Sequence, residues 1–380
     1  MTKRQNPPIL GYLRPDGRLG IRNYVAVIYT THCSMAVAQR LLRLYPAGDL
    51  LFGYPGGCAL RENPFRKICE LGKHSQFGAA LVVGLGCEGT DAYMVAEEIA
   101  KSGKPAEAIK VNEVGGDLKA IEAGSRILAR LLQHVSLAER ATVAPSDLIV
   151  AMLNGASDAT SGLASNPITG VAGDLLVDAG GTYITGSLSE LMGCEEMMAA
   201  RAVNDRVAQE IRAAIKKAEA ESFAAGRFSW GYGNILGGLT TIEEKSYGCI
   251  AKSGTKPILG ILKDFGLPPS KGCWLHESPP ETGFFHGDPE GINQFAACGA
   301  HIGLFTTGCG STTGGLIPVI KVMANPHRQQ LMLDNVDFDA TPILSEAKTV
   351  EQMGEELYDL ILAVAAGKLT KSEVYQHCEA

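Results

Sequence analysis

Four times before residue 180 this chain repeats one pattern: a short apolar run of β-forming residues, a polar loop, then a helical stretch. Tyr24–Thr30 precedes Ser34–Leu44, and Ala79–Gly84 precedes Asp91–Ser102. Ile109–Val111 precedes Asp117–Val135, and Leu148–Leu153 leads through a polar loop to Val171–Ala179. Continuously apolar strands alternating with helices predict a mainly parallel sheet with helices on both faces. The expected fold is therefore α/β, as two mainly parallel-sheet domains with the site at the strand carboxyl ends, where such sheets bind ligands. Each strand runs into a loop of reactive side chains: His32–Cys33, Gly86-Cys87-Glu88, and Asn154–Asn166.

The run Ile302–Pro326, IGLFTTGCGSTTGGLIPVIKVMANP, points the same way. An apolar strand, Ile302–Phe305, opens into a loop of glycines and hydroxyls and returns as a second strand, Ile317–Met323. Such a loop presents backbone N–H groups and small hydroxyls, which suit a hydroxylated anionic small molecule. Cys309 stands at its centre.

The chain has 380 residues, 46% of them hydrophobic and 20% charged, enough for two cores. With a net charge of −7 it has no basic stripe for phosphates, so no nucleic acid is expected as a partner. No apolar run reaches the roughly 20 residues of a membrane helix, and the N-terminus lacks an apolar signal core. Ten cysteines without a CxxC pair read as reduced thiols, and the expected location is the cytoplasm. The charged stretch from Asn204 to Phe228 reads as a solvated spacer, giving expected domains 1–225 and 226–380. Thr240 and Thr241, followed by Glu243 and Glu244, read as the capped start of a helix through Cys249.

The chain resembles the altronate/galactarate dehydratase family over nearly its whole length. The segments that carry this are GYLRPDGRLGIRNYVAV (11–27), Cys33, GLGCE (84–88), SDATSGLASNPITG (157–170), GNILGGLTTIEEKSYGCIAKSGT (233–255) and LFTTGCGSTTGGLIPVIKVMANP (304–326). The resemblance implies a lyase that removes water from a sugar acid to give a 2-keto-3-deoxy product. It also implies a divalent metal, Fe2+ or Mn2+. A base must take the proton beside the carboxylate while a cation holds the developing enediolate. On this reading Glu243, Glu244 and Lys245 are the catalytic charges, and Cys33, Cys87, Glu88 and Cys309 hold the metal. Asp158, Asn166, Asn234, Lys252, Thr306, Thr307 and Lys321 bind substrate. A lysine closing a buried strand, as Lys321 does, requires an anionic partner. His276 and His286 are further candidates for a mobile base, and Cys58 for a further thiol of the site.

Each candidate has a plainer alternative. Strand-end cysteines serve as small core residues, adjacent carboxylates as a solvated helix start, and Asp158 with Asn166 as an Asx turn and cap. The family's dehydratases have Arg where this chain has Cys309, and a Cys-Gly-Gly-Ser-Asp run where it has Asn154-Gly155-Ala156-Ser157-Asp158. Their Asp-Thr-Pro-Gly turn is replaced by Glu277-Ser278-Pro279-Pro280. Cys cannot clamp a carboxylate bidentately as Arg does, so altronate and galactarate are expected to be poor substrates. Many members also carry a small SAF domain ahead of the GYLRPDGR-like segment. The sulfolactate sulfo-lyase of this family is split into two chains and expels sulfite, so a separate small subunit is an expected partner. A homo-oligomer is expected too. The alternatives are a carbon–sulfur lyase, an iron–sulfur hydro-lyase with Cys33, Cys87 and Cys309 as cluster ligands, and a non-catalytic partner subunit.

Overall fold

Runs of β-branched and aliphatic residues become strands buried on both faces. The computed structural model describes residues 8–45, 49–226, 231–263, 265–277 and 287–378. The chain divides into two units, Pro8–Val143 and Ala144–His377.

The N-terminal unit holds β1 (Ile9–Leu13), β2 (Leu19–Gly20), β3 (Tyr24–Tyr29), β4 (Asp49–Gly53), β5 (Phe77–Gly84), β6 (Ala106–Lys110) and β7 (Arg140–Val143). Four of these form a parallel sheet in the order β4-β3-β5-β6. Val25, Val27, Leu81 and Val83 pack there against Val37 and Leu41 of the helix His32–Leu44 and Leu128 and Leu131 of the helix Asp117–Ser136. A small antiparallel sheet, β2-β1-β7, completes the unit.

The C-terminal unit holds β8 (Ile149–Asn154), β9 (Thr182–Thr185), β10 (Ile258–Lys263), β11 (Gly272–Glu277), β12 (Ile302–Thr306), β13 (Val319–Met323) and β14 (Phe338–Asp339). Their order is β10-β11-β9-β8-β12-β13-β14, and every pairing is parallel. The fold is α/β with two parallel sheets, as the alternation predicts. Among the described residues no helix is long and apolar enough to cross a membrane.

The division between units departs from the expected one near residue 225. That position ends the helix Asp205–Ala225, which lies wholly inside the C-terminal unit. The helix is not a spacer. Val207, Ile211 and Ile215, four residues apart, form a stripe buried against Leu188, Leu191 and Met198. Asn204 caps its start through the Val207 amide at 3.0 Å. The charged residues that suggested a spacer occupy the opposite face.

Replacing Ile211 by Ala should therefore cost about 2–4 kcal/mol, the scale of a large-to-small core change. The urea midpoint of unfolding measures this. A solvated spacer would lose less than about 0.5 kcal/mol.

Candidate active site

In the C-terminal unit the chain builds β8 and β9 side by side, continues outward to β10 and β11, then returns to place β12 on the other side of β8. The connections leave the sheet in opposite directions at the β8–β12 pair, which opens a crevice at its carboxyl end. Asn154 and Thr306 close the two strands in register. Their side chains meet there: Thr306 Oγ1 lies 2.9 Å from Asn154 Oδ1 and 2.8 Å from Asn166 Oδ1. Asn166 Nδ2 donates to the Gly248 carbonyl at 2.8 Å, and Asn154 Nδ2 lies 2.8 Å from the Cys249 sulfur. Burial pushes the Cys249 thiol up to about 11, so it stays protonated. Asn154, Asn166 and Thr306 are all buried.

A charged cluster lies just past the end of β9. Glu190, on the short turn Leu188–Glu190, receives the Lys245 ammonium at 3.3 Å on Oε1 and that of Lys252 on Oε2. All three are buried. Burial pushes the Glu190 carboxyl up, but Lys252 and Lys245 outweigh it and hold the group below the ordinary glutamate range. Lys245, Lys252 and Glu190 together carry one net positive charge, which Asp288 nearby balances when ionised. Asp288, first residue of the helix Asp288–Ala297, couples electrostatically to Glu190 and Lys245.

The three adjacent charges at 243–245 part company. Lys245 points inward, whereas Glu243 and Glu244 are exposed. Glu244 Oε2 accepts from Thr240 N at 2.7 Å and Thr240 Oγ1 at 2.8 Å, a helix-start role that holds its carboxyl below the usual range.

Asp158 organises loops. Its Oδ1 accepts from Thr160 Oγ1, Ser161 N and Ser161 Oγ, and its Oδ2 from Asn325 Nδ2 at 2.8 Å. Gly308 and Gly237 close on the same residue, where an added Cβ would stand 2.6 Å from Asp158 Cβ in each case. Asn234 ties the Gly231–Leu236 turn to this loop by donating to the Ser157 carbonyl at 3.0 Å. Thr307 Oγ1 accepts from Gly310 N, and the Cys309 sulfur sits 3.6 Å from the Gly233 carbonyl, half-buried, with its thiol pushed up by burial. Lys321 is fully buried and reaches the Thr312 carbonyl of the glycine loop at 3.4 Å. His276 is buried beside Phe295, and His286 lies outside the described residues.

In the N-terminal unit the order also reverses, at the β3–β5 pair. Glu88 is bound there by four donors: Thr30 Oγ1 and Leu85 N on Oε1, Gly86 N and Cys87 N on Oε2. Burial raises its carboxyl, yet these bonds hold it below the ordinary value. Glu88 thus shapes the Cys87 loop, and its oxygens are committed to that loop. Cys33, Cys58 and Cys87 follow three adjacent strands, β3, β4 and β5, and all are exposed. Gly57 packs so tightly on the Thr30 carbonyl that only glycine fits, which brings Cys58 to 3.7 Å from Thr31 Oγ1. Among the described residues no three His, Cys, Asp or Glu side chains are grouped so as to hold a metal ion.

Both units are parallel α/β sheets with buried charged or amide side chains at strand carboxyl ends, where such sheets bind small molecules. The model of the D-galactarate/altronate dehydratase C-terminal region matches residues 145–380, and that of the second domain of D-galactarate dehydratase/altronate hydrolase matches residues 11–136. The chain belongs to this family, and is an enzyme of the lyase class. The subunit beta of (2R)-sulfolactate sulfo-lyase from Chromohalobacter salexigens is 33% identical, covering 97% of this chain and 95% of that one. Altronate dehydratase of Bacillus subtilis is 27% identical over 97% of this chain and 76% of its own length. Galactarate dehydratase (L-threo-forming) of Escherichia coli is 29% identical over 94% and 72%. The gap between the two matched regions, residues 137–144, contains the boundary between the two structural units.

Glu190→Gln should destabilise the protein by about 3–5 kcal/mol at pH 7, because it leaves two buried ammonium groups without their carboxylate. The pH dependence fixes the cause. A carboxyl held below its unfolded value stabilises the fold above about pH 4.5, and that stability is lost as pH falls through the lower folded value. The gap between wild type and Glu190→Gln should narrow below about pH 4.5, as read by urea unfolding.

Proposed function

We propose that this protein eliminates water across C2 and C3 of a small 2-hydroxy or sugar acid, giving a 2-keto-3-deoxy acid. The observation that carries the reading is the pair of buried ammonium groups, Lys245 and Lys252, converging on Glu190 past the end of β9. A substrate carboxylate held beside them has its C2 proton acidified. As that proton leaves, negative charge moves onto the carboxylate oxygens, where fixed cations in a water-poor site stabilise it most. Asn154, Asn166 and Thr306 offer amide and hydroxyl groups for substrate hydroxyls. Lys321 donates to the Thr312 carbonyl of the glycine loop that follows Thr306. When the C3 substituent departs, the enol product rearranges to the ketone.

A second reading keeps the same C2 chemistry and changes the leaving group to sulfite, from sulfolactate. It is supported by the match over nearly the full length of the sulfo-lyase subunit and by Cys309 in the glycine loop. That relative is named as a subunit, which supports a separate partner chain here. Iron, or manganese in its place, belongs to this proposal through the family resemblance, with an iron–sulfur cluster as its other form. The described donors do not form a three-ligand set, and Glu88 is already bound by four donors, so no step here is derived through a metal.

The test is to assay the purified chain on altronate, galactarate and sulfolactate, with and without ferrous iron and with a co-expressed small subunit. Keto-acid formation should be greatest with a small acid. Lys252→Met should lower kcat/KM by roughly 100-fold, the scale of losing one group that stabilises the transition-state charge. A chain that forms no keto acid from any of the three under any of these conditions overturns the reading.

A further inference from the structure

We propose that Asp288 is the general base that takes the C2 proton, a role that rests on the elimination proposed above. Its position supports this first. Asp288 opens the helix Asp288–Ala297 and lies over the end of β8, where its Oδ2 stands 3.5 Å from the place a Cβ on Gly155 would occupy. Gly155 N donates to the Thr306 carbonyl at 2.9 Å, so the carboxylate borders the crevice that Asn154 and Thr306 close. Its availability supports it next. Asp158 and Glu88 each accept from four donors, and Glu190 is held by two lysines. The Asp288 carboxylate, half-buried, makes no hydrogen bond or ion pair with any described residue. A half-buried carboxylate in the first turn of its helix, with no bonded partner among the described residues and in the field of Glu190, is placed to exchange a proton.

The charged groups that act on it are Glu190 on the turn after β9 and Lys245 on the helix Ile242–Ile250, with Glu290 two residues on along its own helix. Burial, then Glu190, raise its carboxyl to about 6 against the pull of Lys245. It is ionised at neutral pH yet basic enough to accept a proton. In the step, the C2–H bond breaks and the proton goes to an Asp288 oxygen. The electron pair forms the C2–C3 double bond. The C3 hydroxyl leaves with its own pair and takes a proton from solvent to become water; from sulfolactate the C3–S pair leaves as sulfite. Asp288 then returns its proton to solvent.

The experiment compares full-length wild type with Asp288→Asn and Asp288→Glu, in the three-acid assay and in urea unfolding from pH 4 to 8. In the active wild type, kcat/KM should fall below about pH 6. Asp288→Asn should lose about 100-fold or more in turnover and lose the acid limb, while Asp288→Glu should keep the limb at reduced turnover. The stability readout does not require activity. A carboxyl raised in the fold binds its proton more tightly than in the unfolded chain, so its contribution falls as pH rises from about 4 to about 6. Asp288→Asn should therefore gain stability over wild type across that window. A stability difference that does not change with pH overturns the proposal whether or not the enzyme is active. Turnover and pH limb unchanged in Asp288→Asn overturn the base role alone and leave the elimination standing. An inactive wild type with the expected stability window overturns the elimination, and the base role with it.

Discussion

The candidate site depends on one topological constraint: each parallel sheet reverses its strand order beside the strand that comes first in the chain. β5 returns to the far side of β3, and β12 to the far side of β8. Neighbouring strands there feed connections that leave in opposite directions, so nothing of the crossover covers their carboxyl ends. Side chains on adjacent strand ends can then meet directly. Thr30 meets Glu88 in one unit, and Thr306 meets Asn154 and Asn166 in the other. These contacts join segments 58, 152 and 140 residues apart, and they hold the loops in which the remaining polar groups sit.

That topology explains which strands were legible in the sequence. β3, β5, β8, β12 and β13 are central or well covered and read as continuous apolar runs. Strands without a signal have short or interrupted apolar runs, whatever their place in the sheet. β9 is the four-residue run TYIT, and β10 alternates buried with half-buried positions toward the sheet edge. The unit boundary was hidden for a related reason. Val143 is the last residue of β7, which pairs with β1 at the start of the chain, a contact that no local composition announces.

The site was legible where chemistry and local geometry coincide. All five of Lys245, Lys252, Lys321, Asn166 and Thr306 are buried polar groups, the first two on helix turns, Asn166 at a helix start, and Thr306 and Lys321 on strands. Glu243 and Glu244 carried the same sequence signal as Lys245, but consecutive helical residues point about 100° apart. One face packs and the next meets water, so adjacency in sequence could not assign all three to one site. Asp158 follows its Asx-turn alternative, with Oδ1 accepting from its own loop and Oδ2 from Asn325. Glu190 and Asp288 had no motif at all. Each is an ordinary acidic residue in an ordinary local sequence, and only long-range packing gives it cationic or apolar surroundings.

Glu190 and Asp288 also show why the cluster is built from more charge than binding alone requires. Both are carboxylates withdrawn from water, and burial acts on both in the same direction. Two lysines hold Glu190 below its ordinary range, while Asp288 sits in the field of Glu190 and rises. Had both carboxyls faced a lysine closely, both would be locked as anions and neither could exchange a proton near neutrality. Had neither done so, the lysines would lack the charge that keeps two ammonium groups buried together. The unequal sharing separates the two titrations: the lysines hold Glu190 low, and burial with the field of Glu190 raises Asp288. The proton transfer proposed above rests on that asymmetry.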